Sequence, residues 1–424
     1  MPHATPTTDM NTTMNITPSD LTAQEDSRNL STDQAQRQRM AEKLGQLAET
    51  SAGTPMGQLL RKFWHPIALS RSVAPGKARE VRLLGEDLAL YRGQGGNAHL
   101  LVNRCAHRLT KLHTGWIEGD ELRCMYHGWK YDARGQCVER PAERPGSHGN
   151  TRVTSYPIHE YSGLIFAYLG DGAPPEFDLP RKPKFEQAGV MLFQRQEIWP
   201  CNWLQHAENS LDAVHVSFAH QMGKVGVFGD AITSGVPTLH YEETSAGIQQ
   251  TAVRMVDGKS QVRVSDWTFP YGNHVAIPAV HAGGPWMESA NWMVPIDDTH
   301  TLRVSLRAAP STTPEADEEL QRYFDGCDDY NSADHHDALF AGEYPDDPLV
   351  RLTSAQDYVA LIGQGVIANR AQERLGASDL GIAMLRRILA RELEAIRAGA
   401  PTKDWRRIAG PSTLFQYQDA KADA

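Results

Sequence analysis

Two short stretches of the sequence pair a thiol with an imidazole. Cys105-Ala-His107 is followed, sixteen residues on, by Cys124-Met-Tyr126-His127. Each stretch puts one cysteine and one histidine on a tight loop, and two such loops facing each other can hold one metal centre. Two chemistries use this donor set. One is tetrahedral zinc with two Cys and two His; the other is a two-iron, two-sulfide cluster with both Cys on one iron and both His on the other. Zinc fingers pair Cys with Cys and His with His along the chain. Here each loop supplies one of each, as is needed if each loop touches both irons, so the spacing favours the iron–sulfur cluster. Neutral imidazoles in place of two thiolates raise the potential of such a centre to roughly −150 to +300 mV, which suits it to take electrons from a ferredoxin-like donor and pass them towards dioxygen. Cys137 and Cys201 stand outside the pattern and read as small buried side chains.

A second group lies about ninety residues further on, in Asn209-Ser-Leu-Asp212-Ala-Val-His215-Val-Ser-Phe-Ala-His220. Asp212 and His215 are three apart and share a helix face. His215 and His220 are five apart, roughly 140° round an ideal helix. One metal can take both only if the helix ends or bends between them. Alone, such a pair reads as two surface or capping histidines; behind the first group it reads as a metal site.

With Arg108 after the first half and Gly128-Trp129 after the second, the loops resemble the Rieske pattern of ring-hydroxylating oxygenases. The two groups in this order resemble the oxygenase (α) component of the Rieske non-haem iron oxygenases. The stretches 53–66, 292–300 and 356–379 are similar to its phthalate dioxygenase-like subgroup, so the resemblance covers about residues 53–398. It implies that Cys105, His107, Cys124 and His127 hold a Rieske [2Fe–2S] cluster. It implies that His215, His220 and Asp357 bind a mononuclear Fe(II) with coordination positions left open, Glu373 and Asp379 being the alternatives for the carboxylate. Asp212 would bridge, hydrogen-bonding His215 and reaching His127 of a neighbouring subunit, and Asn209 and Trp203 would lie near the iron. Ile362-Gly363 and Asn369 stand where the subgroup has acidic residues.

The elements that must position these groups read as an α+β chain. Residues 1–35 are polar without apolar period and read as a disordered tail; 36–62 read as a helical segment broken by Gly53 and Pro55. Short β-prone runs such as 88–91, 99–102 and 163–169 alternate with turn residues, as in a small antiparallel β domain. The Rieske domain is set at 63–175 and, past a Pro-rich linker, the catalytic domain at 181–424, with a helix over 203–220, strands over 237–308 and helices over 315–325 and 379–398. By resemblance the catalytic domain is of the helix-grip (START-like) type, an antiparallel sheet with packed helices. Arg254 and Arg263, on strand-like stretches, are candidates to hold a substrate carboxylate; Phe218, Phe228, Trp267, Phe269 and Trp286 are candidate apolar walls.

Composition agrees and excludes much. The chain has 424 residues, 40% apolar and 22% charged, an ordinary globular balance. Its net charge of −10, without a basic run, argues against nucleic acid. No apolar run reaches the ~18 residues of a membrane span. Five cysteines, an odd and small number, and no secretory signal point to the cytoplasm. The expected activity is an oxygenase that uses O2 to dioxygenate an aromatic carboxylate or diaryl ether, with NADH electrons from a separate flavin/iron–sulfur reductase. A monooxygenase, such as a demethylase or alkyl hydroxylase, is the alternative. The resemblance implies a homotrimer or hexamer. A pure electron carrier and a zinc-stabilised binding module are rivals from other classes.

Overall fold

The computed structural model describes residues 38–39, 41–144, 149–177, 183–223, 235–256, 258–280, 284, 286–347, 350–405 and 414–419. The expected tail, 1–35, and Phe228 lie outside them. Residues 41–48 are helical, and helix α1 (Pro55–Leu60) follows after a break. The Thr54 hydroxyl accepts the Gly57 N–H and caps α1, while Pro55 takes the first helical position, where no donor is needed.

The β region is built from β1 (Trp64–Leu69), β2 (Ala78–Leu83), β3 (Glu86–Arg92), β4 (Ala98–Val102), β5 (Trp116–Glu118), β6 (Glu121–Arg123), β7 (Lys130–Tyr131), β8 (Cys137–Glu139), β9 (Ser155–Tyr156), β10 (Ile158–Tyr161) and β11 (Leu164–Tyr168). They form three small antiparallel sheets, ordered β1–β11–β10, β2–β3–β4–β9 and β5–β6–β7–β8. The runs read as strands supply β3, β4 and β11. The first cysteine–histidine stretch follows β4, and the second joins β6 to β7.

A larger antiparallel sheet comes next, from β12 (Val190–Trp199), β13 (Thr238–Glu243), β14 (Gly247–Val256), β15 (Lys259–Thr268), β16 (Gly272–Ile277), β17 (Met287–Pro295), β18 (Thr301–Pro310) and β19 (Leu414–Asp419). Its order is β12–β18–β17–β16–β15–β14–β13, with β19 paired to β15. The helices that bear on the site are α2 (Trp203–Asn209), α3 (Val216–Ala219), α4 (Pro314–Asp328), α5 (Val350–Ile362) and α6 (Leu380–Arg397), beside the short helices Pro183–Glu186 and His336–Phe340. On α6, Leu385, Leu389 and Leu393 are buried one turn apart and form one apolar stripe. One core joins the parts. Leu59 and Leu60 of α1, Phe166 of β11, Trp203, Trp267 and Trp292 share it with the α6 leucines. The N–H groups of Leu84 and Gly85 also donate to the carbonyls of Pro295 and Ile296 (3.1 and 2.8 Å), tying the small sheets to the large one.

The single helix expected over 203–220 is two. Helix α2 ends at Asn209, and the chain bends through 210–215 before the one-turn α3. Asp212 is the cause: its Oδ1 accepts the N–H groups of Val214 and His215 (2.9 and 3.2 Å), giving the backbone an alternative to helical bonding. The helix over 315–325 is longer at both ends, with Thr313 as its N-cap.

Glu243 of β13 ties the sheet to α6 through Arg391 (2.9 Å) and to Lys403 (2.8 Å). The Arg391 hydrogen bond, against burial and with help from Lys403, holds its carboxyl down to about 2. A depressed carboxyl stabilises the fold above the unfolded value, about 4.3, and that stability is lost as pH falls towards 2. Glu243→Gln is therefore expected to cost about 0.5 kcal/mol at pH 7 and to flatten the acid limb of stability between those values, as urea unfolding across pH would measure.

Candidate metal centres and active-site cavity

The two cysteine–histidine loops are built alike. In each, the cysteine carbonyl accepts the N–H four residues on (Leu109 to Cys105, 2.9 Å; Gly128 to Cys124, 3.0 Å). In each, the cysteine N–H donates to the carbonyl five residues on (Thr110, 2.9 Å; Trp129, 2.8 Å). The residue closing each turn has positive φ: Leu109 at 60° and Gly128 at 71°. A leucine there is uncommon, so the turn is held by the bonds around it. Both thiols are buried, whereas His107 is exposed and His127 half-buried. The imidazoles meet edge to face with ring centres 4.3 Å apart, and His107 stacks on Trp129, under the Arg140 guanidinium. The Tyr131 hydroxyl approaches Cys105 Sγ (3.2 Å) and accepts the Ala106 N–H (3.1 Å). A hydrogen bond from Cys124 lowers the Cys105 thiol against the effect of burial, and the same bond, with burial, raises Cys124. Cys137 and Cys201 are buried, as read.

His215 and His220 flank α3 as its cap residues, so the bend before α3 and the turn after it bring both rings to one side. Asp357, from the middle of α5, meets them. Its Oδ1 lies 3.5 Å from Nε2 of each histidine, and the three donor atoms fall within 4.8 Å of one another. His220 Nδ1 donates to Gln356 Oε1 (2.9 Å), which leaves the lone pair on Nε2, the nitrogen that faces Asp357. Burial raises Asp357, but His220 and His215, with Arg303 beyond, outweigh it and hold the carboxyl below its usual range. Burial lowers His220 further than Asp357 restores it; for His215, Asp357 and Asp212 outweigh burial and raise it. Asn209 Nδ2 donates to Asp357 Oδ1 (3.4 Å); Asp212 Oδ2 stands 3.8 Å from His215 Nδ1, too far for the expected hydrogen bond to the ring, because its Oδ1 is turned to the backbone N–H groups of Val214 and His215. Trp203 is elsewhere, in the core against Tyr271. Glu373 pairs with Arg386, and Asp379 accepts the Gly376 N–H, so neither replaces Asp357.

The three donors line a cavity of about 1020 Å³, counting its open mouth. Its other wall is one face of the large sheet. Alternate residues point into it: Arg263 and Ser265 of β15, Val275 and Ile277 of β16, Asn291 and Met293 of β17, Arg303 and Arg307 of β18. Of the two arginines expected there, Arg263 lines the cavity; Arg254 lies behind, with Nη2 3.2 Å from the Ala213 carbonyl. Among the described residues, none of the expected aromatic walls lines it. Trp267 and Phe269 are core residues, Phe218 is 60% exposed, and Trp286 packs against a separate apolar cluster. Val216, Val275, Ile277 and Met293 take that role, because an aromatic ring here contributes more to the inter-sheet core than to a polar cavity.

Residues 63–157 match the Rieske [2Fe-2S] domain. The chain is 33% identical to the 5,5'-dehydrodivanillate O-demethylase oxygenase subunit of Sphingobium sp. (strain NBRC 103272 / SYK-6), over 86% of this chain and 82% of that protein. It is 31% identical to the phthalate 4,5-dioxygenase oxygenase subunit of Pseudomonas putida, over 88% and 90%. The chain belongs to the Rieske non-haem iron oxygenases, as an oxygenase subunit. Its fold is that of the terminal oxygenase of carbazole 1,9a-dioxygenase from Novosphingobium sp. KA1 (TM-score 0.59, 20% identity, 85% of this chain and 99% of that one). A carbazole 1,9a-dioxygenase oxygenase of the same fold has been solved in complex with its ferredoxin (TM-score 0.58, 20% identity, 80% and 91%). Rieske oxygenases carry a [2Fe–2S] cluster and a mononuclear iron and take electrons from separate partner proteins. The donor sets of this subunit fit both groups: two inward thiols with two outward imidazoles, and two imidazoles with one ionised carboxylate beside a cavity. Among the described residues, no helix is long and apolar enough to cross a membrane.

A buried network sets α5 in this oxygenase. Glu197 of β12 accepts from Ser354 Oγ (2.8 Å) and Trp199 Nε1 (3.1 Å), and pairs with Arg195 and Arg303 (3.8 Å). Ser354 is one turn before Asp357, so the network fixes the register of the carboxylate. Glu197→Ala leaves two guanidiniums uncompensated and is expected to cost about 3–5 kcal/mol, measurable by urea unfolding. His206, Gln356 and Arg307 are among the site residues not singled out in the sequence. His206 lines the cavity three residues before Asn209, a helical spacing that signals a shared face; burial and Arg303 push it down to about 3, so it is neutral. Gln356 had no signal beyond adjacency to Asp357. Arg307 had one, its period-two spacing from Arg303.

Proposed function

We propose that this subunit oxygenates an aromatic carboxylate in the cavity bounded by His215, His220, Asp357 and Arg263. Cys105, Cys124, His107 and His127 are the residues to hold the cluster; His215, His220 and Asp357 are those to hold the iron. Bound there, the cluster supplies electrons one at a time and the iron, with open positions, activates dioxygen. The chain's own residues do the rest. Gln356 fixes the His220 ring, and Asn209 donates to Asp357 and keeps one of its oxygens oriented. Asp212 stands beside His215 and is partly exposed, which would let it accept a hydrogen bond from His127 of a neighbouring subunit in a homotrimer or hexamer. The polar sheet face holds the substrate, with Arg263 aimed at its carboxylate. Electrons come from NADH through a separate reductase, in the cytoplasm.

The observation that carries this reading is the meeting of His215, His220 and Asp357 at a cavity that also presents a cationic side chain. The leading reaction is dioxygenation. The 33% identity to an O-demethylase oxygenase subunit supports a second, in which one oxygen enters an aryl methyl ether and formaldehyde leaves. A single turnover under ¹⁸O2, with chemically reduced protein and a panel of phthalates, phenoxybenzoates and methoxybenzoates, separates them. Two labelled oxygens in the aromatic product establish the first; an unlabelled phenol released with one equivalent of formaldehyde, which carries the label until it exchanges with water, establishes the second. Neither labelled product nor formaldehyde from any member of the panel would contradict both.

A further inference from the structure

Each imidazole assigned to the cluster meets an aromatic ring, and each of those rings meets a guanidinium. His107 stacks on Trp129 with planes 7° apart and centres 4.6 Å apart, and Arg140 Cζ stands 4.0 Å from the centre of the indole. His127 meets Tyr126 at 3.8 Å and 43°, and Arg108 Cζ stands 5.6 Å from the centre of that ring. The two series differ in quality. Trp129 and Arg140 are half-buried, whereas Tyr126 and Arg108 are exposed. A guanidinium over an indole, partly out of water, is the stronger arrangement. Arg108 also belongs to the first cysteine–histidine loop. Arg140 belongs to neither loop: it follows β8, and its Nη2 donates to the Thr151 hydroxyl. The Thr151 carbonyl in turn accepts the Cys137 N–H (2.9 Å) and the Gln136 side-chain amide (3.0 Å). The guanidinium is therefore fixed twice, by the indole and by Thr151.

A fixed charge at this place acts on the cluster. The two stacking distances together put Arg140 Cζ within about 9 Å of the centre of the His107 ring, inside the reach of a charge at moderate salt. The indole touches both groups and keeps water from part of the space around them, and a charge acts more strongly where water is excluded. The carboxylates of the neighbouring strands, Glu118, Glu121 and Glu139, are each paired with Arg123 or Lys130. When the cluster is reduced, a separate partner protein loses one electron and the cluster becomes one unit more negative, a state that a nearby cation favours. We propose that Arg140, acting across Trp129, raises the reduction potential of the cluster and so eases its filling with electrons. This rests on the assignment of Cys105, His107, Cys124 and His127 to that cluster.

The test is a spectroelectrochemical titration of the cluster in the holoenzyme, followed by its visible absorption, for the parent and three variants. Arg140→Leu keeps an apolar side chain against the indole and removes the charge. Its equilibrium constant for reduction is expected to fall about threefold to tenfold, roughly 30–60 mV for one electron. Arg140→Gln, which keeps a donor for Thr151, is expected to fall as far. Arg140→Lys keeps the charge and should recover most of the loss. Raising the salt to about 1 M, where the screening length is roughly 3 Å, should narrow the difference between the parent and the neutral variants. Equal potentials in the parent and the neutral variants would overturn the proposal. So would a fall in Arg140→Lys as large as in Arg140→Leu, because packing and not charge would then be the cause. Either neutral variant decides by itself if the other does not fold. A parent with neither iron nor sulfide would overturn the cluster assignment as well.

Discussion

Asp357→Ala is expected to lower turnover by roughly 10³-fold or more while leaving the cluster's visible spectrum unchanged. Asp357 is the one anion among the three donors that meet at the cavity, and its Oδ1 is equidistant from the two imidazoles. Without it two neutral nitrogens remain to hold a divalent ion, and a metal's contribution of several kcal/mol to a transition state is lost with the ion. The fold should survive. Position 357 is inside α5, where alanine is the best helix former, and the Glu197–Ser354 contact that sets the helix stays. Metal analysis beside the steady-state rate checks this: iron should drop by about one per chain. A variant with full iron content and full activity would remove Asp357 from the site.

Asp212→Asn has the next largest expected effect, and it separates two roles of one side chain. Oδ1 of Asp212 caps the bend after α2, while Oδ2 faces His215 Nδ1. Asparagine keeps an oxygen for the cap and removes the charge, so the bend and both metal contents should persist. Removing the charged partner of a ligand histidine typically costs 10–100-fold, and the loss here should fall on single turnover of pre-reduced protein as much as on steady state. Asp212→Ala, which removes the cap as well, should add a loss of stability of about 1 kcal/mol. Equal single-turnover rates for Asp212→Asn and the parent would show that its charge does nothing in the reaction.

The chemistry of this chain was legible wherever it depends on residue type and local spacing. Each cysteine–histidine loop is complete within six residues, so Cys105, His107, Cys124 and His127 stand out by residue type and spacing alone. His215 and His220 carried an internal conflict, a 140° separation on an ideal helix, and the conflict pointed to the bend that the structure contains. The cause of that bend, the Asp212 cap, was in the sequence too, but an aspartate three residues before a histidine reads equally as a helical neighbour. The cavity walls were not legible. Which face of β15 or β18 looks inward depends on register across four strands, and a shift of one residue would turn Arg263 and Arg307 away. Trp267 and Phe269, expected there, are drawn instead into the core shared by the two sheet systems, because that is where a large ring buries the most apolar surface.

The most direct test is iron, zinc and acid-labile sulfide in the purified full chain, with Asp357→Ala and Cys105→Ser beside it. The account predicts about three irons and two sulfides per chain and no zinc, with Asp357→Ala losing only the single iron and Cys105→Ser losing the sulfide. Zinc without sulfide, or two irons in a parent protein that Asp357→Ala does not change, would contradict it.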